Sequence, residues 1–201
     1  MTSNRLEAFS DGVLAIIITI MVLGLHVPSG AALTDLWATA GTGLLSYLLS
    51  FIYVGIYWIN HHHTFELTSK VTGRVLWANL ALLFFLSLLP FATAWMDGMH
   101  FARIPVIVYG IVLLLCASSY RILQRTIIHS QGEGSVLQAA LGRDWKSRTS
   151  LVLYTVGIIS ATLVEDDRIG IWIALTTFVV VAALWFVPDR RIEGTYRELA
   201  G

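Results

Sequence analysis

The chain has 201 residues, of which 56% are hydrophobic and 13% are charged, and its formal net charge is zero. A soluble domain carries about 25% charged residues, so this composition excludes an ordinary soluble protein and, with a mean hydropathy of +0.73, predicts an integral membrane protein. The neutral charge balance and the lack of a basic tail argue against nucleic acid as a partner. A single cysteine, Cys116, excludes a disulfide framework.

Long apolar segments predict an all-α membrane protein with six transmembrane helices, because a helix of about 20 residues crosses the hydrocarbon core of a bilayer. The predicted spans are approximately 6–25, 38–59, 75–95, 104–122, 149–163 and 169–187. No connector is long enough for a soluble domain, so residues 1–201 are interpreted as one transmembrane domain. The lipid bilayer is therefore the first expected partner.

The first span presents different residue types on different sides at about 100° of helix rotation per residue. One stripe holds Phe9, Gly12, Ile16, Ile20, Leu23 and Val27. Thr19 lies at its edge, whereas Ser10 and Asp11 point away from it. A carboxylate near hydrocarbon costs about 3 kcal/mol or more without partners, so we expect Asp11 to contact neighbouring helices. From the residues alone, the stripe fits ordinary helix packing or the lining of a pore.

A motif in this span resembles the first-helix signature of the transmembrane protein 175 family, which comprises endosomal and lysosomal potassium channels and their bacterial relatives. The matching sequence is Arg5-x-x-x-Phe9-Ser10-Asp11-x-x-x-Ala15-Ile16-x-x-Thr19-x-x-x-Leu23. The resemblance implies a homotetramer with the first helix of each subunit around a central pore. It also implies a leak-type cation channel, permeable to potassium with modest selectivity over sodium, that needs no cofactor beyond the permeant monovalent cations.

The candidate pore residues are Ile16, Thr19, Ile20 and Leu23. The spacing i, i+4, i+7 stacks the three apolar side chains on one helix face, and four copies would form hydrophobic rings that gate by excluding water. By resemblance, Ile16 forms the main constriction, Leu23 a second apolar ring, and Thr19 a polar layer for a partly dehydrated cation.

A second group of candidates lies at the charged end of the first two spans. It consists of Arg5, Ser10, Asp11, Trp58, His61 and His62. The resemblance implies a polar network of these residues that orients the pore helix. It does not identify which of the three consecutive histidines takes part, and His62 is chosen as the candidate. The alternative is a helix end decorated with interfacial histidines. Asn79 and Trp77 in the third span are further candidates for this network, although plain packing explains them equally well.

Charge placement predicts that both termini are cytoplasmic, in a bacterial-type plasma membrane. Eleven basic residues fall on the side of the termini, and only Arg103 and Arg168 fall on the other. The eleven are Arg5, Lys70, Arg74, Arg121, Arg125, Arg143, Lys146, Arg148, Arg190, Arg191 and Arg197.

Two tempting sites are not supported by the sequence. Consecutive histidines at 61–63 diverge by about 100° each on a helix, and Glu66 is the only nearby acid, so no metal site is expected. The sequence Tyr154-Thr155-Val156-Gly157-Ile158 superficially resembles a potassium filter. A re-entrant loop there would leave an odd number of spans and move three C-terminal arginines outside, so we predict a helix instead.

The sequence contains no nucleophile elbow and no phosphate-binding loop, so an enzyme is not expected. The alternative to a channel is a proton-coupled secondary transporter that uses Asp11 and a histidine of His61–His63. Such carriers are typically built with helices broken near mid-membrane, whereas Pro90 and Pro105 lie toward the ends of their spans. That placement favours the channel.

Overall fold

The computed structural model describes residues 3–132, 135–141 and 145–186. Within these ranges the chain forms eight helices and no strand. They are α1 (Ser3–Leu23), α2 (Leu33–Glu66), α3 (Gly73–Leu86), α4 (Leu89–Gly98), α5 (Arg103–Gln131), α6 (Val136–Leu141), α7 (Trp145–Leu163) and α8 (Asp167–Phe186). The all-helical prediction is therefore confirmed for the described residues.

Among residues 3–132, 135–141 and 145–186, five helical stretches are long and apolar enough to cross a bilayer, when α3 and α4 are counted together. They are α1, α2, α3 with α4, α5 and α8. The predicted fifth span corresponds to α7, which is 19 residues long and begins with the polar run Trp145-Lys-Ser-Arg148. That helix is not among the five, so the count of six spans stays a prediction.

Helix α2 is much longer than its predicted span of 38–59. At its start, the Asp35 carboxylate accepts a hydrogen bond of 3.0 Å from the Ala32 N–H group, which satisfies one of the unpaired amides of the first turn. At its other end, the helix continues through all three consecutive histidines to Glu66. Two more turns of α2 therefore extend toward the start of α1.

The predicted third span is divided into α3 and α4 at Ser87 and Leu88. Pro90 explains the break, because proline has no N–H group for the carbonyl of Leu86 and its ring clashes with that carbonyl. Helix α4 then begins with Pro90 in its first turn, where proline is tolerated.

Helix α5 lies at the centre of the bundle, in contact with α3, α4, α7 and α8. Its buried side includes Tyr109, Leu113, Cys116 and Leu123, each with no exposed surface. Tyr109 and Tyr154 pack against Phe178 with ring centroids 5.9 Å and 6.2 Å apart, which joins α5, α7 and α8. By contrast, α1 lies at the edge of the bundle and contacts α2, α3 and α4.

The potassium-filter look-alike at 154–158 lies within the continuous helix α7. Thr155 donates to the Leu151 carbonyl at 2.8 Å, as a helical threonine does, rather than exposing a row of carbonyls. Gly157 allows α7 to approach α8, because a Cβ atom there would lie 3.3 Å from the backbone Cα of Ala174. The glycine of the filter-like sequence, Gly157, therefore serves helix packing.

The close approach of α7 and α8 at Gly170 predicts a large effect of one methyl group. A Cβ atom at Gly170 would lie 2.7 Å from the Ser160 backbone carbonyl, which cannot rotate away. We expect Gly170→Ala to lower the free energy of unfolding in detergent by about 1–3 kcal/mol through overpacking. The matched control is Gly55→Ala within α2, where no atom lies within 4 Å. Equal stability of the two variants would contradict the prediction.

Candidate functional site

Helix α1 has one face packed inside the protomer and another face that the described part of the protomer leaves largely exposed. The packed face consists of Leu6, Ser10, Leu14, Ile17 and Met21. Their spacing of three and four residues is that of a helix stripe, and this stripe lies about 120° around the helix from the predicted pore stripe. The sequence pattern left this orientation open, and the packing decides it.

The uncovered face carries the candidate pore residues. Ile16 is 57% exposed, Ile20 is 50% exposed and Leu23 is 81% exposed. Thr19 is exposed beside them, and its hydroxyl donates to the Ile16 carbonyl at 2.9 Å. A Cβ atom at Gly12 would meet nothing within 4 Å, so the face is open there as well. The structure thus brings the four candidates together on one uncovered surface, while their role as a pore lining stays a prediction.

The candidate network residues form three separate links between α1 and its neighbours rather than one cluster. In the first link, the Trp58 indole Nε1 donates to the Asp11 carboxylate at 3.1 Å. Both side chains lie in a partly exposed region at the same depth of α1 and α2. The partner that the sequence analysis expected for the Asp11 carboxylate is therefore the uncharged indole N–H group of Trp58 on α2.

The second link is fully buried and joins α1, α2 and α3. Asn79 donates through Nδ2 to the Ser10 hydroxyl at 3.0 Å, and Ser10 donates to the Leu6 carbonyl at 2.9 Å. The Asn79 Oδ1 atom lies 2.8 Å from His61 Nε2. Because an amide oxygen only accepts, His61 Nε2 carries the donated proton. The other ring nitrogen, Nδ1, is buried without a hydrogen-bond partner among the described residues.

The third link is exposed and joins the first turn of α1 to the last turn of α2. His62 Nδ1 lies 2.5 Å from the Glu7 carboxylate, and Ser3 donates to the Phe65 carbonyl at 3.0 Å. Glu7 was not among the predicted network residues. The signal that could have identified Glu7 is its position three residues before Ser10 and four before Asp11, which puts it on the same side of α1.

Arg5 is not brought into these links. Its side chain is exposed, and the described part of the chain pairs no carboxylate with it. Asn79, for which packing and hydrogen bonding were equally good interpretations, is the buried centre of the second link. That these links orient a pore helix stays a prediction.

Three consecutive histidines have three different surroundings, as their divergence on a helix requires. His61 points inward to Asn79 and stacks on Phe65 with a centroid distance of 4.5 Å. His62 points to Glu7 on α1, and His63 lies beside Glu66 within α2. Of the three, His61 and His62 connect α2 to other helices.

The buried link predicts a stability cost when its central amide is removed. We expect Asn79→Leu to lower the free energy of unfolding by about 1–3 kcal/mol, because the buried donor of His61 and the Ser10 oxygen lose their partner. The matched control is Asn60→Leu, since the Asn60 side chain bonds only to the Ile56 carbonyl within its own helix. Denaturant titration in micelles measures both, and an Asn79 variant as stable as the control would contradict the expectation.

Comparison with known proteins places this geometry in a family. The family model described as "Endosomal/lysosomal potassium channel TMEM175" matches residues 5–90, which include α1, α2 and most of the α3–α4 stretch. A potassium channel of Chryseobacterium sp. (strain P1-3) is 49% identical over 201 residues, covering 98% of this chain and 100% of the relative. A potassium channel of Streptomyces collinus (strain DSM 40733 / Tue 365) is 32% identical over 128 residues, covering 60% and 62%.

A solved structure agrees with these matches. The crystal structure of a lysosomal potassium-selective channel TMEM175 homolog from Chamaesiphon minutus superposes with a TM-score of 0.76 at 26% identity, covering 93% of this chain and 97% of that one. The family and these relatives are channels rather than enzymes, as the sequence predicts. Because one relative matches end to end at 49% identity and the family model matches the segment that contains the α1 motif, this chain belongs to the TMEM175 family of integral membrane proteins.

Proposed function

We propose that the chain is one subunit of a leak-type cation channel, permeable to potassium with modest selectivity over sodium, in which four copies surround a central pore. Relatives of this chain carry the name potassium channel, and the similar solved structure is titled a potassium-selective channel. The observation that carries the proposal is the uncovered apolar face of α1, with Ile16, Ile20 and Leu23 half or more exposed.

That face also carries features that a pore would use. It includes the open glycine Gly12, and the Thr19 hydroxyl lies at its edge. In a ring of four helices, the same glycine keeps the axis wide below the constriction, and the threonine offers oxygen to a cation. Self-association through α1 would also cover apolar surface that the protomer leaves open.

Closure is attributed to rings of Ile16 and Leu23. A narrow apolar ring expels water and therefore presents a large barrier to a hydrated ion, which a small rotation or tilt of the helix removes. Among the described residues, this part of α1 is held to the protomer by apolar side chains such as Ile17, Ile18 and Met21. Such contacts adapt to a small movement more readily than a hydrogen bond with a fixed direction.

Thr19 is the proposed selectivity layer. Its hydroxyl proton is already donated to the Ile16 carbonyl, so the oxygen lone pairs are left to face a cation. A ring of four hydroxyl oxygens replaces part of the hydration shell of an ion but is less constrained than a cage of backbone carbonyls. Selectivity of potassium over sodium is therefore expected to be modest.

The proposed topology has six spans, both termini cytoplasmic and a single domain over residues 1–201 in a bacterial-type plasma membrane. The start of α1 and the end of α2 lie at one end of the bundle, joined by Ser3 and Phe65. Arg103 lies at the other end, where it pairs with Asp167 at the start of α8. Four of the basic residues used in the orientation argument, Arg143, Arg190, Arg191 and Arg197, lie outside the described residues.

The proposed gate predicts a gain of current from one polar substitution. We expect Ile16→Asn to increase the current of purified protein in a planar bilayer, because an amide at the constriction stabilises water in the ring. The reversal potential under opposed potassium and sodium gradients should remain shifted toward potassium. The control is Val179→Asn, a similarly exposed position on α8 that should leave the current unchanged.

One result would overturn the channel in favour of the proton-coupled carrier. It is the absence of current in every variant together with proton-driven uptake that depends on Asp11. The hydrogen bonds of the described residues support the channel, since none of them joins Asp11 to a histidine. Asp11 is bonded to Trp58, whereas His61 is bonded to Asn79, His62 to Glu7, and His63 lies beside Glu66.

The proposed tetramer predicts which neighbouring positions form intersubunit disulfides. In a protein whose buried Cys116 is replaced by Ala, Ile20→Cys should cross-link copies on mild oxidation, because equivalent residues face one another around the axis. Met21→Cys is the matched control, since Met21 is only 5% exposed and packs within the protomer. Non-reducing electrophoresis of membranes measures the dimer band, and equal bands for the two variants would contradict a pore lined by this face.

A further inference from the structure

A cluster of metal-ligating side chains lies at the end of α2, apart from the uncovered face of α1. One ligand atom from each of His62, His63 and Glu66 lies within 4.8 Å of the other two. Glu7 of α1 contacts the other ring nitrogen of His62, Nδ1. The sequence did not predict this cluster, because neighbouring histidines leave a helix about 100° apart. Glu66, one turn further along, lies between them.

The separations within the cluster are close to those of ligands around a small metal ion, although the two histidines approach different oxygens of Glu66. His62 Nε2 lies 3.3 Å from one Glu66 carboxylate oxygen, and His63 Nδ1 lies 3.5 Å from the other. Zinc binds imidazole nitrogen and carboxylate oxygen at about 2.0–2.2 Å with tetrahedral geometry, which puts neighbouring ligand atoms about 3.3–3.6 Å apart. Side-chain rotations that bring the three ligand atoms, which lie within 4.8 Å of one another, to this spacing would let one ion contact all of them.

Glu7 holds His62 in the tautomer that a metal requires. A carboxylate only accepts hydrogen bonds, so the 2.5 Å contact between Glu7 and His62 Nδ1 carries its proton on Nδ1 when the ring is neutral. The lone pair is then on Nε2, the nitrogen that faces Glu66. A carboxylate behind a ligating histidine is the usual outer partner in zinc sites, where it orients the ring and raises its basicity.

We propose that His62, His63 and Glu66 bind a divalent transition metal of the zinc class, with Glu7 as the positioning residue. Two imidazole nitrogens select zinc-like ions over magnesium and calcium, which prefer all-oxygen sites. All four side chains are partly exposed, with side-chain exposures between 17% and 46%, so an ion reaches them and water completes the coordination.

Occupancy of this site would couple to the position of α1, a consequence that rests on the proposed function. Glu7 belongs to α1 and the three ligands belong to α2, so a bound ion strengthens the Glu7–His62 link by raising the acidity of the ring N–H group. Metal on the cytoplasmic side is therefore expected to hold the base of α1 against α2 and to reduce the potassium current.

The binding test needs no current and uses the full chain in detergent. Calorimetry with Zn²⁺ should give one ion per chain, and Co²⁺ should give the visible absorption of tetrahedral nitrogen and oxygen coordination. We expect His63→Ala and Glu66→Gln each to weaken Zn²⁺ binding at least tenfold, and Glu7→Gln to weaken it about 10–100-fold. The control is His129→Ala, an exposed histidine near the end of α5, which should bind as the wild type does.

Three results would overturn the site. The first is that the folded wild type does not bind Zn²⁺. The second is that the His63→Ala and Glu66→Gln variants bind Zn²⁺ as tightly as the wild type. The third is that the His129→Ala control loses as much affinity as these variants do. The melting temperature without metal shows whether each variant is folded, and His63→Cys, which supplies a thiolate ligand, should restore binding.

Current recordings then test the coupling separately. Zn²⁺ on the cytoplasmic side should reduce the wild-type current reversibly on chelation, and should not affect the Glu66→Gln variant. Binding without any change of current would overturn the coupling but leave the metal site. Absence of current under all conditions would instead count against the proposed channel.

Discussion

The structure depends on the requirement that polar groups buried in a membrane protein find partners inside the protein. The buried link of Ser10, Asn79 and His61 meets that requirement, and in doing so it joins α1, α2 and α3 at one level. Ser10 is the only polar residue on the packed face of α1. A helix turned so that Ser10 meets Asn79 leaves the face with Ile16 and Leu23 exposed.

The attachments of α1 are unevenly distributed along its length. Every hydrogen bond from an α1 side chain to another helix comes from its first nine described residues, through Ser3, Glu7, Ser10 and Asp11. Beyond Asp11, the contacts of α1 with the rest of the protomer are made by apolar side chains such as Leu14 and Met21. A helix fastened at one end and packed by non-directional contacts along the rest is suited to tilt about its fixed end. That property is what the proposed gate needs.

Consecutive histidines illustrate how one local sequence serves several purposes. Because each residue turns the helix by about 100°, the structure gives His61, His62 and His63 different neighbours. His61 completes the buried link, His62 reaches Glu7, and His63 lies beside Glu66. The last two converge again only because Glu66 lies one turn further along the same helix. The proposed metal site therefore depends on Glu66, because the divergence of the histidines alone argues against a shared ion.

The sequence by itself determined the membrane class, the helical content and the family, because hydropathy and the motif from Arg5 to Leu23 depend on local composition and spacing. It also identified Ile16, Ile20 and Leu23 as one stripe, since helix periodicity is a local property. It did not determine that Pro90 breaks the third span into α3 and α4, nor how far α2 extends toward α1. Only the tertiary structure decided which face of α1 is packed, that Asn79 is the partner of both Ser10 and His61, and that Glu7 meets His62. These pairings join residues 18 to 69 positions apart, and no pattern along a single helix specifies which side chains of different helices will meet.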